Sequence, residues 1–358
     1  MNKTGKLFLV VAFLISVIAY NQNINTKQNN MGENTHQTND IKQTESELLM
    51  GVSKAVCYSG FRSGQHPDRG NGAKNPSYEE ILEDLNILSA NSDFQLIRLY
   101  DSQENSEMTL KVIKENDIDI KVMLGIWLRA ELSNHESCEW LNEPIPEEIL
   151  ILNKVLNLKE IEKGINLANE YKEIVIAVNV GNEALVDWND HKVDTDTSIA
   201  YVNKVKQFIE QPVTVADNYR WWIDNGSELA KAVDFISIHF YPVWEGKDID
   251  EAMSYSIENV QEIRNTFPDG KIVISEAGWA SVASEFGERA SEEKQLQYYN
   301  DLMSWSDEMN ITTFFFEAFD EDWKGNPDNM MGAEKHWGLF NTDRKPKRVM
   351  QQFYKINK

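Results

Sequence analysis

From Gly51 onward the chain alternates between short apolar, β-branched runs and longer stretches in which apolar side chains recur every three or four positions. The runs are Ala55 to Tyr58, Phe94 to Tyr100, Ile118 to Ile126, Ile174 to Val180, Val213 to Ala216, Phe235 to Phe240, Lys271 to Ser275 and Thr312 to Phe316. Each has the length and composition of a buried strand. Between them, "SYEEILEDLNILSAN" puts Ile81, Leu82, Leu85 and Leu88 on one helical face behind Ser77, an N-cap candidate, and "SEEKQLQYYNDLMSW" repeats the arrangement later. Eight strand-helix units with no long linker predict a single (β/α)8 barrel over residues 51–358; a doubly wound sheet more usually has about five to seven strands.

In such a barrel the chemistry lies where the strands end at their carboxyl edge. The polar residues there are Tyr58, Arg98 and Tyr100, Trp127, Asn182 and Glu183, Asp217 and Asn218, His239 and Tyr241, Glu276 and Trp279, and finally Glu317, Asp320 and Glu321. Glu183 and Glu276 stand out, because each follows a nearly unbroken apolar strand, "IVIAVNVGNE" and "KIVISE". The fourth and seventh strands lie on opposite sides of the mouth, so these two carboxylates can face each other across a groove. That is the minimum equipment for glycoside hydrolysis, in which one carboxyl donates a proton to the leaving oxygen and the other attacks or stabilises the sugar cation. The alternative for strand-end glutamates is helix capping, or pairing with Arg98 and Lys271.

The N-terminus follows a different pattern. Lys3 and Lys6 precede the apolar run Leu7 to Tyr20, and Val17-Ile18-Ala19 offers a peptidase site, so residues 1–20 are expected to be a signal peptide or an uncleaved anchor. Either fate exports the protein. Residues 21–50, rich in Asn, Gln and Thr, are expected to be a disordered polar linker. A formal charge of -23 disfavours nucleic acid and anionic membranes as partners but leaves a neutral ligand unaffected. No metal or cofactor is expected: the six His are scattered, the two Cys have no metal spacing, and phosphate-loop and Gly-x-Ser-x-Gly motifs are absent. A bridge between Cys57 and Cys138 is left open. Nothing implies an obligate protein partner, and a monomer is expected.

The ordered blocks "IRLYDSQEN", "DIKVMLGIWL", "VNVGNEAL", "HFYPVW", "VISEAGWAS", "FFFEAFDEDWK" and "HWGLF" resemble glycoside hydrolase family 17, the β-1,3-glucanase family of a retaining (β/α)8 clan. The likeness runs over about residues 51–356. It implies Glu183 as acid/base, Glu276 as nucleophile, Asn182 as holder of a sugar hydroxyl, Tyr58 and Tyr100 as site-lining residues, and Tyr241 as the group that orients the nucleophile. It also implies a polar cluster of Glu317, Glu321 and Lys324 near the catalytic pair, and a neutral β-glucan polysaccharide or oligosaccharide as substrate. Arg98 joins these as a binding residue, and Trp279 and Trp337 as a stacking pair for pyranose rings.

Trp279 is followed by Ala280, where plant relatives commonly carry Pro. Residues Arg129 to Lys154 form a long insertion-like stretch after the third strand that could wall one end of the groove, which leans the reading toward chain-end action without settling endo against exo. A glucanosyl or glucosyl transferase would use the same intermediate and the same residues. A glycan-binding barrel without chemistry is disfavoured by the retention of both glutamates.

Overall fold

A computed structural model describes residues 41–44, 48–68, 70–91 and 94–354. The chain divides into two units, Met1–Lys42 and Gln43–Lys358, and the second contains the barrel. The expected leader, 1–20, and most of the expected linker lie outside the described residues. Among the described residues no helix is long and apolar enough to cross a membrane.

Eight parallel strands close in sequence order: β1 (Lys54–Cys57), β2 (Leu96–Arg98), β3 (Lys121–Ile126), β4 (Val175–Asn182), β5 (Val213–Asn218), β6 (Ile236–His239), β7 (Ile272–Ala277) and β8 (Thr313–Phe315). The first and last pair in parallel, with Ala55 opposite Phe314. Every strand predicted from the apolar runs is present; β2, β3, β6 and β8 are shorter than their runs, β1 is shifted one residue toward the N-terminus, and β4, β5 and β7 run on by two residues into the polar strand ends. The outer layer holds α1 (Tyr78–Asn91), α2 (Glu104–Glu115), α3 (Glu147–Glu170), α4 (Thr195–Lys206), α5 (Tyr219–Asn225), α6 (Ile249–Thr266), α7 (Glu292–Met309) and α8 (Arg348–Tyr354).

Local chemistry explains where helices start. Ser77 Oγ accepts from Glu80 N at 3.2 Å while Glu80 Oε2 accepts from Ser77 N at 2.8 Å, so two otherwise orphaned N–H groups at the start of α1 are satisfied reciprocally. Ser291 caps α7 in the same sense, accepting from Lys294 N at 3.2 Å. Ile81, Leu85 and Leu88 are fully buried beneath α1.

Order reaches N-terminal of Gly51, the start expected from composition. The Gln43 amide behaves as a strand partner for β7: its Oε1 accepts from Ile272 N at 2.8 Å and its Nε2 donates to Ile272 O at 2.9 Å. Leu49 is also buried. An Asn- and Gln-rich composition reads as unstructured because it hides amides that bond to backbone.

The two cysteines are free. Cys57 Sγ donates to Ser275 O at 3.4 Å and Cys138 Sγ to Trp188 O at 3.1 Å, which closes the question of a bridge between them.

Candidate active site

The carboxyl ends of β4, β6 and β7 depart from regular register, with shifts between Asn179 and Asn182, between Ile238 and His239, and between Ile274 and Ala277. Bulges of this kind turn side chains out of the strand alternation. At β4 the turn is completed by Gly181 at φ 87° and Glu183 at φ 47°. Glycine takes the first conformation freely; for a glutamate the left-handed region is uncommon and is held by its surroundings. Glu183 N donates to Ala216 O at 2.9 Å, and Asp217 on β5 accepts from Leu185 N at 2.9 Å, so the next strand pins both sides of the residue.

Glu183, His239 and Glu276 converge, with one nitrogen or oxygen of each within 4.8 Å of the others. Glu276 is surrounded by donors. Arg98 Nη1 reaches its Oε1 at 2.7 Å, the Tyr100 hydroxyl the same oxygen at 3.1 Å, and the Tyr241 hydroxyl its Oε2 at 2.6 Å. Burial, with the negative charge of Glu276 adding to it, pushes both phenols well above their ordinary pKa, so they remain donors. Arg98 is itself fully buried and its Nη2 also donates to Asn182 Oδ1 at 2.5 Å, linking the two residues flanking the reaction centre.

Glu183 has a different environment. His239 Nδ1 lies 3.1 Å from its Oε1, and Asn189 Nδ2 donates to its Oε2 and to its backbone oxygen, both at 3.1 Å. Burial pushes this carboxyl up, but the bond and field of His239, the bond from Asn189 and the field of His191 outweigh that and hold it below the ordinary value. The direction is opposite to that expected from a neighbouring negative charge alone, because two donors face the carboxyl that was expected to be raised. Asp217, by contrast, is pushed well above its ordinary value by burial and then by the Glu183 charge.

Of the other expected site residues, Asn182, Arg98, Tyr100 and Tyr241 are brought together around the glutamates. Glu317, Glu321 and Lys324 form a buried ion network, in which the Lys324 ammonium meets both carboxylates and Glu321 Oε1 accepts from Ser59 Oγ at 2.6 Å and Phe61 N at 3.1 Å. Glu317 Oε1 is left buried without a hydrogen-bond partner. Tyr58 is a correction: it is buried, and its hydroxyl reaches Asp84 of α1 at 3.3 Å, away from the glutamates, because side chains alternate across a strand and Cys57 takes the other side. The stacking pair is a second correction. Trp279 is 0% exposed, donates its indole N–H to Arg289 O at 2.9 Å and packs on Tyr298 of α7. Trp337 is 1% exposed and backs the Tyr241 ring at 5.1 Å between centroids. Neither offers a free face to a sugar.

Other tryptophans are less buried. Trp188 is 47% exposed, Trp244 46%, and Trp127 lies against the His191 ring at 4.5 Å. Two polar residues were not among the expected site: Asn189, and Glu334, whose carboxyl is pushed up by burial, pulled back by Lys324 and pushed up again by Glu183 and Glu276. His239 was visible as a strand-end residue two positions before Tyr241, but without a role. The insertion-like stretch is fastened to the loop that follows Glu183: Asn134 Nδ2 donates to Asp187 O and Asn189 O at 2.6 and 2.8 Å, and Ser137 Oγ to Asp187 O at 3.1 Å.

Comparison with known proteins agrees with this geometry. A glucan 1,3-beta-glucosidase of Arthroderma benhamiae is 25% identical over 326 residues, covering 85% of this chain and 95% of the relative. A probable glucan endo-1,3-beta-glucosidase, btgC, of Aspergillus clavatus is 26% identical over 76% of this chain, which spans only 39% of that longer protein. The crystal structure of an endo-laminarinase from Formosa superposes with a TM-score of 0.73 at 26% identity, covering 88% of this chain and 90% of the other. A β-1,3-glucanosyltransferase from Rhizomucor miehei, at 24% identity and a TM-score of 0.62 over 82% of this chain and 95% of its own, shares the fold. The model of the BtgE/BtgC glycoside hydrolase domain matches residues 55–338, and the chain belongs to that family.

Proposed function

We propose that the protein is a retaining glycosidase that cleaves β-1,3-glucan, with Glu276 as nucleophile and Glu183 as acid/base. The observation that carries the reading is that one oxygen of each carboxylate lies within 4.8 Å of the other. Retaining enzymes hold theirs about 5 to 5.5 Å apart, whereas inverting ones leave roughly 6.5 to 9.5 Å for a water. The unequal donor sets fit the two roles. Arg98, Tyr100 and Tyr241 fix both oxygens of Glu276 and hold it in place for attack. Glu183 is 21% exposed at its side chain and opens toward the mouth, where a leaving oxygen would collect its proton. Attack by Glu276 forms the glycosyl ester as Glu183 protonates the departing sugar; Glu183 then takes a proton from water, which releases the product with its original configuration. Asn182, with Oδ1 engaged by Arg98, has its amide N–H groups to offer a sugar hydroxyl.

The substrate follows from relatives named for 1,3-β-glucan. The insertion fastened beside Glu183 supports action near chain ends, since a rigid wall limits how far a polymer can run past the cleaved bond. The apolar leader supports export. Transfer of the glycosyl group to a second sugar uses the same intermediate and is the second reading.

The test is a time course on laminarin. Proton NMR should show β-configured sugar as the first product, and α-configured sugar would remove the retaining assignment. Glucose or one short oligosaccharide from the outset indicates chain-end action, a ladder internal cleavage, and oligosaccharides longer than the substrate supplied indicate transfer. Glu183→Gln should lose roughly a hundred- to ten-thousand-fold on glucan yet much less on an aryl glucoside whose leaving group needs no proton.

A further inference from the structure

His239 occupies the space between the two glutamates, with Nδ1 3.1 Å from Glu183 Oε1 and 3.5 Å from Glu276 Oε2. Its other nitrogen, Nε2, faces Arg98 Nη1 at 3.2 Å. A guanidinium has donors only. An N–H on Nε2 would therefore meet an N–H on Arg98, and the contact is favourable only when Nε2 presents its lone pair. Nη1 then serves Glu276 Oε1, Ser275 O and Nε2 with two hydrogens, one of them shared. The imidazole proton is left on Nδ1, aimed at the carboxylates. Asn189 is oriented by the same logic: its Nδ2 bonds the Glu183 backbone oxygen, and the flipped amide would set oxygen against oxygen.

We propose that His239 is a positioning residue for the acid/base, locked by Arg98 as the Nδ1–H tautomer so that, with Asn189, it surrounds the Glu183 carboxyl with groups that can only donate. The proposal rests on Glu183 being the proton donor of the reaction. A proton carried by Glu183 then meets no acceptor among the carboxyl's own hydrogen-bond partners and is kept for the leaving oxygen; a histidine free to switch tautomer could take that proton itself. Once the proton has gone, the same two N–H groups stabilise the carboxylate that must next act as base. The titratable groups around the pair are Arg98 on β2, His191 on the acid/base loop, Asp217 on β5, Glu276 on β7 and Glu334 after β8. Among the described residues His239 is the titratable group hydrogen-bonded to the Glu183 carboxyl.

Two measurements test this. In His239→Ala, loss of a donor to the ionised form should move the alkaline limb of kcat/KM on β-1,3-glucan upward by about one pH unit. Turnover of glucan should fall about tenfold more than turnover of an aryl glucoside that needs no proton. A folded variant, judged by its far-ultraviolet spectrum and melting temperature, with an unmoved limb and equal losses on both substrates overturns the proposal. His239→Gln, which keeps an amide donor, should lie between wild type and alanine. On the wild-type protein, imidazole nitrogen NMR should show His239 Nδ1 protonated and Nε2 bare, with the signals assigned by their absence from His239→Gln. A proton on Nε2 overturns the lock. Failure of the wild-type enzyme to act on β-1,3-glucan sinks the functional reading, whereas an unchanged limb in an active variant sinks only this one.

Discussion

Two donors help to hold Glu183 below its ordinary value, and in the acid role proposed for it this sets the pH dependence. The acid must be protonated to begin turnover. A depressed value means that the protonated fraction falls as pH rises above it, so kcat/KM on laminarin should be highest on the acid side and decline about tenfold per pH unit beyond. A maximum at or above neutral pH would contradict the donor arrangement. The tryptophans separate by burial. Trp279→Ala removes a fully buried indole and its bond to Arg289, and should destabilise the fold by about 3 to 5 kcal/mol in denaturant unfolding. Trp188→Ala, at a half-exposed loop position, should change stability by less than about 0.5 kcal/mol and show its effect, if it carries a sugar, in KM.

These residues also show what a sequence exposes and what it conceals. Glu183 and Glu276 were legible because a polar residue at the end of an apolar run points to the mouth of a barrel whatever the rest of the chain does. Trp279 has the same local setting, and its burial is decided by Tyr298 and Gln295 on α7, which no local pattern connects to it. The place of His239 depends on Arg98, 141 positions earlier. Tyr58 lies outside the expected site because Cys57 faces the barrel interior and each step along a strand reverses the side that is faced.

Among the elements, α3 does more than cover the sheet. Glu160, on its inner side, accepts from Ser102 N at 2.7 Å and from the Gln103 amide, holding the start of α2 and the segment that follows Tyr100. Burial pushes this carboxyl up to about 7, against the pull of the Ser102 N–H and with a further push from Asp101. A carboxyl raised in the folded state contributes stability that is complete below its unfolded value, near 4.5, and is lost as pH climbs through 7. The melting temperature should therefore fall between pH 5 and pH 8, and Glu160→Gln, which does not titrate, should lose that component. A parallel decline in both proteins would assign the pH dependence to other groups. The eight strands were readable from their apolar runs because strands buried on both faces leave near-continuous hydrophobic sequence. The fastening of residues 134–138 to the loop after Glu183 was not, because it consists of side chains bonding to backbone carbonyls, which carry no sequence signature.

The whole molecule carries a formal charge of -23, and this selects among glucans before any chain reaches the groove. A carboxymethylated β-1,3-glucan should show a KM several-fold higher than neutral laminarin at low ionic strength, and the gap should close as salt screens the repulsion over about 10 Å at 0.1 M. A gap that ignores salt would place the discrimination in the groove itself.

Because Asn134 and Ser137 grip the backbone at Asp187 and Asn189, and Asn189 in turn grips Glu183, the segment before α3 and the loop after β4 form one mechanical piece built from two separated stretches of chain. Any exchange of parts between this barrel and a relative must move both stretches together. A chimaera with its crossover between residues 146 and 183 would mate a clamp from one parent with a catalytic loop from the other, and in a fold assembled from interchangeable strand-helix units this is the seam that resists being cut.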